Sequence, residues 1–203
     1  ARDIKGKFPN IHCVVLTPFS HGITKRMQNE DLSIFDYVFC WLGNTNLILS
    51  IIKLIEDKMN LEHDIQEAGV QMILLVEDSI RFYSSILPNL YNYILEQSKN
   101  FSKEALNRHA ATMRMRGRPK VVLARTYEEA KKLYDKYSDN TLGVISDARF
   151  PLKSAAKAFG NVVDEDVQPK HATDTFGREK CPDAGLQLFR YIRKNDSFVP
   201  LIL

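Results

Sequence analysis

The chain has 203 residues, 44% of them hydrophobic and 26% charged, with a formal net charge of +3. That is enough for one large domain or two small ones, and the composition is ordinary for a soluble globular protein, so disordered, collagen-like and coiled-coil readings are excluded. Lys+Arg 28 against Asp+Glu 25 is too even a balance to announce a nucleic-acid binder, which needs a larger basic excess on one face.

Three cysteines, Cys13, Cys40 and Cys181, are widely spaced and odd in number. Neither a zinc site nor a disulfide framework follows from them, and a reducing, cytoplasmic compartment is expected. The start, Ala1-Arg-Asp-Ile-Lys5, lacks the apolar run of a signal peptide. The strongest apolar stretch, Leu47 to Ile52, is far shorter than the roughly 20 residues of a spanning helix, so no membrane association is expected.

In chain order, runs of β-formers alternate with helical patterns. Ile11–Thr17, closed by Pro18, is the first strand candidate, and Asp36–Trp41, closed by Gly43, is the second. Leu47, Ile51, Ile55 and Met59, with Ile48 and Ile52 beside them, form the apolar stripe of a helix. Gln71–Val76 is a third strand, and Phe82, Ile86, Leu90 and Ile94 mark a second helix. About 40 residues separate Ser79 from Pro119, more than a single crossover helix needs, with Pro88 as a kink candidate. Lys120–Ala124 is a fourth strand. Thr126-Tyr-Glu-Glu129 reads as a capping box, with Ala130, Leu133, Tyr134 and Tyr137 lining the helix behind it. Leu142–Ser146 is a fifth strand and Val199–Leu203 a sixth. The polar stretch Leu152–Cys181 reads as a long surface loop, partly disordered. Near-continuous apolar strands alternating with helices predict a doubly wound parallel α/β sheet.

Arg2-Asp-Ile-Lys5 followed by Phe8-Pro-Asn-Ile and an apolar strand is echoed by Arg190-Tyr-Ile-Arg193 followed by Phe198-Val-Pro-Leu and an apolar strand. The chain therefore reads as one period of a repeated unit, entered and left at the same point.

The chemistry-bearing residues are acids at strand ends. Glu77 and Asp78 follow the third strand, and Asp147 follows the fifth. In a parallel sheet the carboxyl ends of neighbouring strands share one edge, where ligands bind. Three carboxylates gathered there repel, and a hard divalent cation, best Mg²⁺, relieves the repulsion. The competing reading makes Asp78 or Ser79 a cap of the next helix.

Leu74-Leu-Val-Glu-Asp-Ser79 and Ile145-Ser-Asp-Ala-Arg-Phe-Pro151 resemble the response-regulator receiver family, in which an acidic pair follows the first strand and the phosphoacceptor aspartate the third, with a proline four residues on. Pro182-Asp-Ala-Gly185 resembles the family's turn into its third helix. Val14-Val-Leu-Thr17 and Asp36-Tyr-Val-Phe-Cys-Trp41 resemble the fourth and fifth strands of another copy. Cys40 stands where the family has its lysine, and Trp41 where it has a proline. More narrowly, Val76–Ser85 and Met113–Pro119 are similar to a tandem receiver-like region found ahead of phosphoenolpyruvate synthase or pyruvate phosphate dikinase-like enzymes.

The resemblance implies a flavodoxin-like sheet of five parallel strands in the order 2-1-3-4-5. It makes 1–66 the back half of a first receiver-like unit and 67–203 a second, running from its first strand to its fourth, with insertions at about 96–118 and 152–181. Docked together, the halves would form a permuted composite with Val121, Ile73, Val144, Val15 and Val38 on successive strands; the competing arrangement is a domain-swapped homodimer with strand exchange. The implied function is a phosphoacceptor signalling domain, not an enzyme. Asp147 is then the phosphoacceptor, Thr17 the switch hydroxyl and Tyr37 the switch aromatic. Mg²⁺ would be held by Glu77, Asp78, Asp147 and the backbone carbonyl of Arg149, and the partner would be a histidine kinase or phosphotransfer protein. The alternative is a degenerate pseudo-receiver, a non-catalytic interaction or dimerisation module regulating a fused phosphoenolpyruvate synthase-like enzyme. If Cys40 completes the composite site in the lysine's place, the bound phosphoryl group loses a cationic partner and weak or absent phosphorylation is expected.

Among the remaining features, Arg114, Arg116, Arg118 and Lys120 read first as a solvated segment leading into a strand, since no aromatic platform for nucleic acid accompanies them. Cys40 reads as a buried strand thiol.

Overall fold

The computed structural model describes residues 2–18, 35–153 and 178–203. Most of the expected 152–181 loop lies outside them. The elements in order are α1 (Arg2–Lys7), β1 (Val14–Pro18), β2 (Tyr37–Trp41), α2 (Asn46–Ala68), β3 (Met72–Val76), α3 (Ile80–Lys103), α4 (Arg108–Arg116), β4 (Lys120–Ala124), α5 (Tyr127–Tyr137), β5 (Thr141–Ser146), β6 (Phe150–Pro151), β7 (Lys180–Cys181), α6 (Ala184–Asn195) and β8 (Leu201–Ile202). Each of the six expected strand segments contains a strand, β1 to β5 and β8, whereas the strongest apolar stretch, Leu47–Ile52, lies in helix α2.

The chain divides into two compact units, residues 1–73 with 80–122 and residues 74–79 with 123–203. The division crosses β3 and β4. These two strands, with β5 and β8, form a sheet in the order β4-β3-β5-β8. Backbone partners rise together along the strands: the Lys120 amide donates to Gln71, and the Glu77 amide to Ala124. β5 and β8 are likewise parallel, with Val144 opposite Leu201 and Ile145 opposite Ile202. The protein is a mixed α/β chain with a parallel sheet flanked by helices.

The expected composite order is corrected here. Val144 was to have Val15 as its outer neighbour, but that edge of β5 is taken by β8. A strand has two edges, and β5 has given one to β3 and the other to β8. β1 and β2 instead make their own parallel pair, with Thr17 opposite Cys40.

In the first unit, β2 is buried from Tyr37 to Cys40 and packs on α3. The Tyr83 hydroxyl donates to the Val38 carbonyl, and the Cys40 amide donates to Ser84 Oγ at 2.9 Å. The Phe39 and Tyr83 rings meet edge to face at 5.4 Å. The expected α3 stripe holds at Ile94, which is buried, with Ile86 and Leu90 half-buried, but the core face is centred one position on. Tyr83, Leu87 and Tyr91 are buried, whereas Phe82 is exposed, because the two tyrosines carry hydroxyls to acceptors inside this unit. The α2 stripe also splits: Leu47, Ile51, Leu54 and Leu61 are buried, while Ile48, Ile52 and Met59 are exposed. The 79–119 segment is two helices, α3 with Pro88 inside it and then α4. Asn107 caps α4 by accepting from the Ala110 amide at 2.8 Å. No helix among the described residues is long and apolar enough to cross a membrane.

In the second unit, α5 starts at the expected cap: Thr126 Oγ1 accepts from the Glu129 amide at 3.2 Å. Glu129 reaches back to the Arg125 amide at 2.8 Å. α5 and α6 pack together, with Ala130, Tyr134, Leu188 and Ile192 buried. β6 and β7 pair antiparallel, Phe150 opposite Cys181 and Pro151 opposite Lys180.

Candidate functional site

All three acids lie in the second unit. Two backbone bonds set them at one sheet edge: the Glu77 amide donates to Ala124 at 3.0 Å, and the Asp147 amide to Val76 at 2.9 Å. Each acid therefore emerges where its strand ends, beside the neighbouring strand's last residues. Glu77 and Asp78 are buried, Asp147 is half-buried, and one carboxylate oxygen from each lies within 4.8 Å of the others. Side chains from two chain segments 69 positions apart are thus gathered into one acidic pocket.

The electrostatics are costly. Glu77 is 5% exposed. Burial pushes its carboxyl up to about 7, with Asp147 and Asp78 adding repulsion; the Ser79 amide, donating at 2.9 Å, and Lys180 pull the other way. Asp147 Oδ1 accepts from the Ala148 amide at 2.7 Å. Lys180 Nζ reaches across to both oxygens of Asp78, at 2.8 Å and 3.0 Å.

Gly185 holds the Asp147 loop from below. Its amide donates to the Ala148 carbonyl at 3.1 Å, and a Cβ at this position would overlap the Asp147 carbonyl oxygen and the Leu203 side chain. The Pro182–Gly185 turn therefore brings the start of α6 against the phosphoacceptor candidate, with glycine required by close approach rather than by a left-handed backbone.

The donor set fits a hard divalent cation: three carboxylates, no nitrogen and no sulfur. Oxygens on opposite sides of Mg²⁺ are about 4.2 Å apart and of Ca²⁺ about 5 Å. Of three oxygens on an octahedral Mg²⁺ only one pair can be opposite and the other pairs are adjacent at about 3.0 Å, so separations of up to 4.8 Å close on the ion by inward rotation of these side chains. Arg149, two residues past Asp147, is exposed on the loop between β5 and β6.

Thr17 and Tyr37 belong to the first unit. Thr17 is half-buried on β1, its hydroxyl donating to the Pro18 carbonyl at 3.3 Å. Tyr37 is buried on β2, near Phe39 at 6.0 Å and with the Lys58 ammonium 5.3 Å from its ring centre. Cys40 is buried, and burial pushes its thiol up, as suits a packing residue rather than a nucleophile.

The basic run is corrected in part. Arg118 and Lys120 are each only 5% exposed. Arg118 pairs with Asp57, which is fully buried, and Lys120 pairs with Asp64 at 2.7 Å. Sequence reading missed Lys180 at the acidic pocket as well. It stands 102 residues from Asp78, and no spacing rule links them.

No family model matches the chain, and no curated protein or solved structure matches it.

Proposed function

We propose that this chain is a receiver-like phosphoacceptor module that takes a phosphoryl group on Asp147 from a phosphohistidine of a histidine kinase or phosphotransfer protein. The observation carrying the reading is the convergence of Glu77, Asp78 and Asp147 at the carboxyl edge of a parallel sheet. The order β4-β3-β5-β8 supports it, being the order 2-1-3-4 when the strands are counted from β3.

In the transfer, an Asp147 carboxylate oxygen bonds to phosphorus as the phosphorus–nitrogen bond of the donor breaks. The electron pair leaves with the imidazole, which takes a proton from solvent. A carboxylate needs no general base, so the residues position and neutralise. The Ala148 amide fixes Oδ1 and leaves Oδ2 for phosphorus. Glu77, Asp78, Asp147 and the Arg149 carbonyl would hold Mg²⁺, which when bound neutralises charge spreading over the phosphoryl oxygens. Without a metal ion the pocket's charge is partly balanced by Lys180 on Asp78, a cation that neither Thr17 nor Cys40 offers.

A second reading is a pseudo-receiver that serves as an interaction or dimerisation module. The Lys180–Asp78 ion pair favours it, since a resident ammonium already neutralises part of the pocket. The two readings part on incubation with acetyl phosphate and Mg²⁺, followed by intact mass. The phosphoacceptor reading expects one added phosphoryl group, absent in Asp147→Asn. An unmodified wild-type chain leaves the interaction module.

A further inference from the structure

The Lys180 ammonium straddles Asp78, within 3.0 Å of both of its oxygens. Asp78 is fully buried, and the Lys180 side chain is 20% exposed. A divalent cation in the pocket needs one of those two oxygens. Two cations on one carboxylate, a few ångströms apart and partly desolvated, repel strongly. The ammonium and the metal ion therefore compete for the same face of Asp78.

Lys180 is also lightly anchored. Its strand β7 is two residues long and, among the described residues, pairs with the two-residue β6 alone. Its cross-strand neighbour is Pro151, which has no amide to donate. Phe150, at the other rung, follows Asp147 by three residues and is fully buried. Moving Lys180 off Asp78 thus pulls on a short ladder that begins beside the phosphoacceptor candidate.

We infer that Lys180 is a built-in competitor of the divalent cation, and that filling the pocket releases Lys180 and loosens the β6–β7 pairing. This rests on the triad being a cation pocket. It gives the site an output in its own unit: β7 is held when the pocket lacks a divalent ion and freed when it has one.

The test is Mn²⁺ binding to the full chain, wild type against Lys180→Gln and Lys180→Arg, read by the electron paramagnetic resonance of free Mn²⁺. Removing the resident charge leaves Asp78 uncompensated, so K180Q should bind roughly tenfold tighter or more. K180R keeps the charge and should stay near wild type. In a second measurement that needs no variant, hydrogen exchange at the Cys181 amide, opposite Phe150 in the ladder, should speed up when Mg²⁺ is added. Wild-type or weaker affinity in K180Q, or exchange that Mg²⁺ slows or leaves alone, overturns the competitor role while leaving the pocket intact. No Mn²⁺ binding by any of the three overturns the pocket as well.

Discussion

Arg118 grips Asp57 with both terminal guanidinium nitrogens, at 2.6 Å and 3.0 Å, inside the first unit. Asp57 also accepts from the Tyr91 hydroxyl at 3.0 Å and from the Val121 amide at 2.9 Å. Lys120 stands 3.9 Å away and completes its own pair with Asp64. One fully buried carboxylate thus ties α2 to α3 and to the start of β4. Its hydrogen bonds satisfy it, which is the condition under which a buried ion pair is tolerated.

Breaking this node should be expensive. Asp57→Ala leaves the Arg118 charge buried without its partner, at a cost of about 3–5 kcal/mol. Tyr91→Phe removes one hydrogen bond to a charged acceptor and should cost about 1.5–3 kcal/mol. Urea unfolding midpoints measure both. A change within about 0.5 kcal/mol for D57A, the size of an ordinary surface substitution, contradicts the node.

This node also marks a limit of sequence reading. A run of Arg and Lys ahead of a strand looks solvated unless the partner acid is known, and Asp57 lies 61 positions from Arg118. The strands were legible because their apolar runs are local, and the acid triad because strand ends share an edge once strands are parallel. The shifted faces of α2 and α3 were not, since a periodicity count treats Phe82 and Tyr83 alike, whereas a buried acceptor at Val38 selects the tyrosine. The slot beside β5 went to β1 on the resemblance alone, whereas the structure gives it to β8.

Glu77 makes a pH-dependent prediction. Its carboxyl rises from the ordinary 4.5 to about 7 in the fold. A raised acid favours the folded state only while protonated. Its contribution is full below pH 4.5, falls as the pH climbs from 4.5 through 7, and is absent above. At about 1.4 kcal/mol per unit the loss is about 3 kcal/mol. Glu77→Gln cannot ionise, so without divalent ions it should be more stable than wild type by about that amount at pH 8 and equal at pH 4. Urea midpoints across this range check it. Equal stability of the two proteins at pH 8 contradicts the burial argument.

Gly185 makes a steric prediction. Gly185→Ala forces a methyl group into the Asp147 carbonyl and Leu203. It should cost about 1–3 kcal/mol in unfolding free energy. Because the strain falls on the Asp147 loop, it should also weaken Mn²⁺ binding. Gly143→Ala is the control. A methyl there meets the Pro200 carbonyl at 3.4 Å and lies away from the acids, so Mn²⁺ affinity should hold.

Everything functional depends on Glu77, Asp78 and Asp147 acting as one pocket. The most direct measurement is a crystal of the chain grown with Mn²⁺ and beryllium fluoride, a mimic of the phosphoryl group. The account predicts an anomalous peak within ligand distance of all three carboxylates and a beryllium adduct on Asp147. An anomalous map with no peak there, or with manganese bound elsewhere and Asp147 bare, contradicts it.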